Sequence, residues 1–191
     1  MEERYARLKD NCILRGWTDV PYAVSNQDTG LLKEVGKDTF YVLNSCDGNT
    51  NFNSIAFLPG HRKILDRLIS QKLVEECVQG SEISSVQRYK KADNPLIREV
   101  HWAITGNCNM NCHHCFMESP QGKYGCLEWS ETEKILKMFS KANVLQVSLT
   151  GGEPFVSPDF LKIIDYLGKE KIRLTEIATN GSLINDEFLE I

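Results

Sequence analysis

The sequence has no run of about 18 or more apolar residues, so it encodes no helix able to span a bilayer. Its opening residues, MEERYARLKD, lack the apolar stretch of a secretory signal, and a cytoplasmic location is expected. A basic face is missing too. Residues 1–97 hold thirteen basic and thirteen acidic side chains, residues 98–191 hold nine and thirteen, and the whole net charge of -4 comes from the second half. Neither half offers a surface for nucleic acid or an anionic membrane. Low-complexity stretches are absent, and 41% hydrophobic with 25% charged residues excludes a disordered or fibrous chain. Seven cysteines are an odd number, unlike the even set of a disulfide framework. Three of them, Cys108, Cys112 and Cys115, fall within eight residues, which suits a metal site in a reducing compartment. Cys12, Cys46, Cys77 and Cys126 are dispersed and read as buried or incidental thiols.

At 191 residues the chain has room for two small cores, so a seam is expected. Residues 22–25, 31–35 and 39–43 read as short extended pieces separated by turn residues, a three-stranded meander. From Pro59 onward Ile64, Leu65, Leu68 and Ile69 recur at helical spacing, and residues 71–78 close the unit. A small β-then-α domain is expected over residues 1–80. The polar stretch 81–96 has little apolar periodicity and is expected as a linker.

From residue 97 the pattern becomes strand, loop, helix, repeated. Val100, Trp102 and Ile104 alternate on a first strand, and Ser130 with Glu133 forms a capping box ahead of Ile135, Leu136, Phe139 and Ala142. Leu145, Val147 and Leu149 mark a second strand. Ser157 and Pro158 start a second helix whose Phe160, Ile163, Ile164 and Leu167 share a face. Residues 172–179 form a third strand, and Asn185 or Asp186 caps a third helix. Alternating strands and helices predict an α/β fold with a parallel sheet, right-handed crossovers and an active site at the carboxyl ends of the strands. The loops 105–115, 150–154 and 179–182 then converge on one edge.

Those loops carry the chemistry. Cys108-Asn-Met-Asn-Cys112-His-His-Cys115 places three thiolates just past a strand, close enough to wrap one inorganic cluster. Three cysteines on a four-iron cube leave one iron without a protein ligand, free for the nitrogen and oxygen donors of a small chelator. Gly151-Gly152-Glu153-Pro154 follows the second strand, with two glycines for close backbone approach and a carboxylate for an ammonium. Thr179-Asn180-Gly181 adds an amide and another permissive glycine.

With CxxxCxxC at 108–115 and GGEP at 151–154, in this order and on these elements, the sequence resembles the radical S-adenosylmethionine (SAM) superfamily. The resemblance implies a partial radical SAM (β/α) barrel, with about three βα units present over 97–191. It implies that Cys108, Cys112 and Cys115 ligate a 4Fe-4S cluster and that Gly151, Gly152 and Glu153 hold the methionine amine. Asn180 contacts the ribose or methionine side of SAM, His114 stands where the family often has an aromatic residue against adenine, and Phe116 offers its backbone to adenine. The reaction so implied is reductive cleavage of SAM, fed by an external electron donor, followed by hydrogen abstraction from a substrate.

Residues 20–80 resemble the peptide-recognition domain found before many radical SAM maturases of ribosomal peptides, similar to the small chaperone of pyrroloquinoline quinone biosynthesis. The match runs through FYVLNSCDG at 40–48, residues 64–73 and Val74. It implies a small winged-helix-like α+β domain that adds a precursor leader peptide as a strand to a sheet edge. The expected activity is maturation of a ribosomally made peptide through a thioether, a carbon–carbon link or epimerisation. A leader-binding or partner-binding module without catalysis, or a radical SAM enzyme of cofactor biosynthesis or sulfatase maturation, are the alternatives. A zinc site of the three cysteines with His113 or His114 competes for the metal. Glu153 as a solvated charge, Asn180-Gly181 as a simple turn, and His61 and His101 as structural histidines are the plainer readings of those residues. The chain stops just inside its expected third helix, so a truncated half-barrel is expected, with a partner chain or self-association covering its sheet edge.

Overall fold

The structure, a computed structural model, describes residues 3–119 and 124–185. The chain divides into two compact units, Met1–Leu96 and Ile97–Ile191. No helix among the described residues is long and apolar enough to cross a membrane.

In the first unit β1 (Tyr5–Leu8) pairs antiparallel with β5 (Val74–Cys77), Leu8 opposite Val74. A second sheet has the order β4-β3-β2-β6, from β2 (Cys12–Gly16), β3 (Ala23–Asn26), β4 (Leu31–Glu34) and β6 (Lys90–Lys91). The helices are α1 (Lys37–Asn44) and α2 (Pro59–Ser70). Leu8, Leu14, Val24, Leu43, Phe52, Leu65 and Leu68 fill the core between them.

Residues 39–43, expected as a third strand, lie instead in α1. The run Thr-Phe-Tyr-Val has strong β propensity, but tertiary packing overrides it. Phe40 and Leu43, three apart, both reach the core, and Phe40 stacks on Tyr22 at 4.3 Å. Strands β1 and β2 were not anticipated, because Arg4, Arg7, Lys9 and Asp10 interrupt the apolar pattern. Arg7 is answered across the pair by Glu75, 2.7 Å away. The stretch 81–96, expected as a linker, is built into the first unit. Ile83 joins its core, β6 runs parallel on β2, and Gln87, 2% exposed, donates its Nε2 hydrogens to the Lys9 and Cys12 carbonyls. Hydrogen bonding lets a polar segment be buried with no apolar periodicity to announce it.

The second unit follows the expected alternation: β7 (Glu99–Thr105), α3 (Trp129–Lys141), β8 (Gln146–Gly151), α4 (Phe160–Lys169) and β9 (Arg173–Ile177). The strands are parallel in the order β7-β8-β9, so each crossover leads to the neighbouring strand and every strand ends on the same edge. Trp102, Ile104, Val147 and Leu149 face Leu136 of α3 and Phe160, Ile163 and Leu167 of α4. Burying one such side chain contributes about 1.5–3 kcal/mol, which fixes which face of the sheet the helices cover.

The start of α3 corrects the expected capping box. Glu128 occupies the N-cap, and its N–H donates to the Glu131 carboxylate at 3.3 Å, while Glu133 pairs with Lys137 one turn on. The helix thus starts at Trp129, one residue ahead of Ser130, and Lys162 lies 5.0 Å above the Trp129 ring. Helix α4 begins at Phe160, behind Asp159. The third helix expected after Asn185 or Asp186 lies outside the described residues.

Candidate functional site

The three βα loops of the second unit enclose one open cleft of about 480 Å³. The first loop contributes Cys108, Met110, Cys112, His114, Cys115 and Phe116, the second Thr150, Gly151 and Gly152, and the third Ala178, Thr179 and Asn180. All three cysteines of the CxxxCxxC stretch thus reach one wall. His113 and Glu153 are not among the lining residues.

The glycines hold two loops together. Gly152 N–H donates to the Thr105 carbonyl at 2.8 Å, and Glu153 N–H donates to the Asn107 carbonyl at 2.9 Å. A Cβ on Gly151 would sit 2.2 Å from the Thr105 oxygen, and Gly151 has a φ of +138°, which an L side chain rarely adopts. A Cβ on Gly152 would sit 2.2 Å from the Asn107 oxygen. The close approach expected of these glycines is therefore realised first against the cysteine loop. Ser119, 2% exposed, adds a hydroxyl bond to the Gly106 carbonyl at 2.8 Å.

Glu153 is held by donors of the protein itself. It is 0% exposed, and its carboxylate takes three donors: Phe155 N–H at 3.1 Å, Thr179 Oγ1 at 2.8 Å and Asn180 N–H at 2.8 Å. A buried carboxylate is tolerated when donors such as these replace its water. These bonds clamp the β9 loop to the β8 loop. Thr150, Gly151 and Gly152, which do line the cleft, are the β8-side groups a ligand would meet.

The β9 loop also reaches the cysteines. Asn180 Oδ1 accepts from the Ser182 N–H at 2.9 Å and from the Ser182 hydroxyl at 2.7 Å, while its Nδ2 donates to Asn109 Oδ1 at 2.9 Å. Asn109 Nδ2 in turn donates to Ser182 Oγ at 2.8 Å. Thr179, Ser182, Asn109 and Met110 were not singled out as site residues in the sequence. Thr179 and Asn109 sit inside the flagged motifs, whereas Ser182 is a loop serine with no signal of its own.

The donor set fits an iron–sulfur cluster better than a zinc ion. Among the described residues no three His, Cys, Asp or Glu side chains gather closely enough to hold a single ion. Three thiols lining one cleft suit a multi-iron group, because iron–sulfur clusters take thiolates. No fourth cysteine lines the cleft. Cys126, exposed, lies at a separate depression with Met117 and Tyr124. Cys46 is buried in the first unit, where burial pushes its thiol well above the ordinary range, as expected of an inert structural cysteine. Phe116 is 95% exposed at the cleft rim.

Residues 102–191 match the family model described as the radical SAM superfamily. Members of that superfamily use a 4Fe-4S cluster and SAM. The chain is 34% identical over 97 residues to the antilisterial bacteriocin subtilosin biosynthesis protein AlbA of Bacillus subtilis (strain 168), covering 51% of this chain and 21% of that protein. It is 31% identical over 88 residues to a probable GTP 3',8-cyclase of Methanothermobacter thermautotrophicus, covering 46% of this chain and 29% of that one. Among solved structures, Streptococcus suis SuiB bound to its precursor peptide SuiA superposes with a TM-score of 0.58 at 18% identity, covering 97% of this chain and 45% of SuiB. At that identity the likeness is one of fold. The chain thus spans between about a fifth and a half of the length of these relatives.

Proposed function

We propose that this chain, whose residues 102–191 match the radical SAM superfamily model, supplies the cofactor-binding part of an enzyme that reductively cleaves SAM to modify a ribosomally synthesised peptide. The observation that carries the reading is the single cleft shared by Cys108, Cys112, Cys115, Gly151, Gly152 and Asn180. When bound, a 4Fe-4S cluster supplies one electron and an iron open to a chelating ligand.

The chain's own residues do the rest. Cys108, Cys112 and Cys115 hold the cluster. Thr150, Gly151 and Gly152 present a side-chain hydroxyl and backbone to the amino acid end of SAM. His114 and Phe116 flank the mouth where a base would stack. Glu153 acts from behind, by holding Thr179 and Asn180 in place. An external donor supplies electrons, and the activity is cytoplasmic.

The choice of a peptide substrate is supported by the likeness to AlbA and by a fold likeness to peptide-bound SuiB that runs through both units. We assign the first unit, with a winged-helix-like recognition role centred on residues 20–80, to leader binding. Its strand β4 is an edge strand in the described sheet, with Leu31, Lys33 and Glu34 exposed, and so can accept an added strand. The domain limits we propose are 1–96 and 97–191, with 81–96 closing the first domain rather than linking the two. At the β9 edge, an apolar hollow of about 240 Å³ lined by Phe155, Ile164, Leu174 and Ile177 suits a partner chain or a second copy that continues the barrel.

Anaerobic reconstitution tests the reading. Iron and sulfide in about a four-to-four ratio, with deoxyadenosine formed on adding SAM and dithionite, is the expected result. Stoichiometric zinc without sulfide would refute it. Intact SAM beside tight binding of a leader peptide would reduce the chain to a binding module.

A further inference from the structure

The three candidate ligand cysteines are not equivalent. The Cys108 sulfur has two hydrogen-bond donors, the Met110 backbone N–H at 3.4 Å and the Asn180 side-chain Nδ2 at 3.9 Å. Among the described residues no donor reaches the Cys112 or Cys115 sulfur. Met110 belongs to the cysteine loop itself, but Asn180 arrives from the loop after β9, some seventy residues later in the chain.

The orientation of the Asn180 amide is fixed by its neighbours and not by the sulfur. Its oxygen is claimed by two donors from Ser182, so its NH₂ group must point the other way, toward Asn109 Oδ1 and Cys108 Sγ. Its backbone is held in turn by the buried Glu153 carboxylate. One N–H is used on Asn109, and the second is left for the sulfur. A donor so placed is held 3.9 Å from the Cys108 sulfur by bonds that do not involve the sulfur.

We propose that Asn180 is a positioning residue for the cluster: its amide N–H donates to the Cys108 thiolate and raises the potential at which the cluster accepts its electron. This rests on the cluster assignment above. Electron density on the sulfurs is greater in the reduced cluster, so a donor there stabilises the reduced form more than the oxidised form, and hydrogen bonds to cluster sulfurs are an established determinant of potential. The bond also gives the β9 loop, which lines the SAM cleft, a direct mechanical link to one cluster ligand. Displacement of Asn180 would be felt at Cys108 as a loss of that donor.

The test is a redox titration of the reconstituted full chain without SAM, followed by the electron paramagnetic resonance (EPR) signal of the reduced cluster. It compares wild type with Asn180→Ala and Asn180→Ser, both of which keep the backbone N–H to Glu153 and neither of which can reach Cys108. The expected result is a midpoint potential shifted to more negative values in both variants, at wild-type iron and sulfide content. Any variant that loads fully and titrates at the wild-type potential, or above it, overturns the proposal. Loss of the cluster from both variants while wild type keeps it overturns it as well, since the amide would then hold the loop and not tune the metal. Failure of wild type to form any cluster would defeat the cluster assignment itself, a result distinct from either.

Discussion

Within the cleft, identity and role separate. In the proposed reading Cys108, Cys112 and Cys115 ligate the cluster, so changing any one of them to Ala should abolish iron and sulfide retention, while Cys126→Ala should leave the loaded content unchanged. Metal and sulfide analysis after anaerobic reconstitution checks both. Glu153 is conspicuous in sequence for an expected contact with ligand, and in the structure it is buried and takes three donors from the protein itself. Removing it strands those donors, each of which costs about 1–3 kcal/mol when left unpaired out of water. Glu153→Ala should therefore lower unfolding stability by roughly 3 kcal/mol or more, read as a reduced urea midpoint of the apo protein, with Glu153→Gln intermediate because one acceptor oxygen survives. A Glu153→Ala chain with wild-type urea stability would show that the carboxylate is not a clamp.

The elements bring these residues together through backbone contact. The β8 loop zips onto the chain leaving β7 at Thr105 and Asn107, and Gly152 is the tooth that cannot carry a side chain. Gly152→Ala should push the two loops apart and cut cluster loading at least several-fold, while the far-ultraviolet circular dichroism of the chain stays close to wild type, since the strands themselves need not move. The parallel order of β7, β8 and β9 and the convergence of their loops were legible in sequence, because Val100-Trp102-Ile104 and Leu145-Val147-Leu149 alternate cleanly and helical faces separate them. The first unit was less legible. Residues 39–43 have the composition of a strand and are made helical by packing of Phe40 and Leu43, and Gln87 is buried by hydrogen bonds that no periodicity encodes. In the cleft itself the cysteines and glycines could be read directly, but the bonds of Glu153 to the β9 loop could not. Whether a carboxylate faces a ligand or a loop depends on which N–H groups surround it, and those came from residues 155, 179 and 180.

Across the whole chain the two units should respond differently to the cofactor. A ligand that binds only the folded state stabilises what it touches by mass action. Hydrogen exchange should show residues 106–119 and 178–184 more protected in reconstituted protein and less protected after a chelator strips the metal, while the buried backbone around Leu14, Val24 and Leu65 in the first unit stays unchanged. Equal loss of protection in both units on metal removal would show that the cluster site is not confined to the loops of the second. The most direct measurement is the EPR spectrum of the reduced, reconstituted chain with and without SAM. A signal whose g-values change when SAM is added would mean that the iron left vacant by three thiolates is where SAM binds. An iron–sulfur signal indifferent to saturating SAM would contradict the central claim, for then the cleft would hold a cluster with no coordination position open to it.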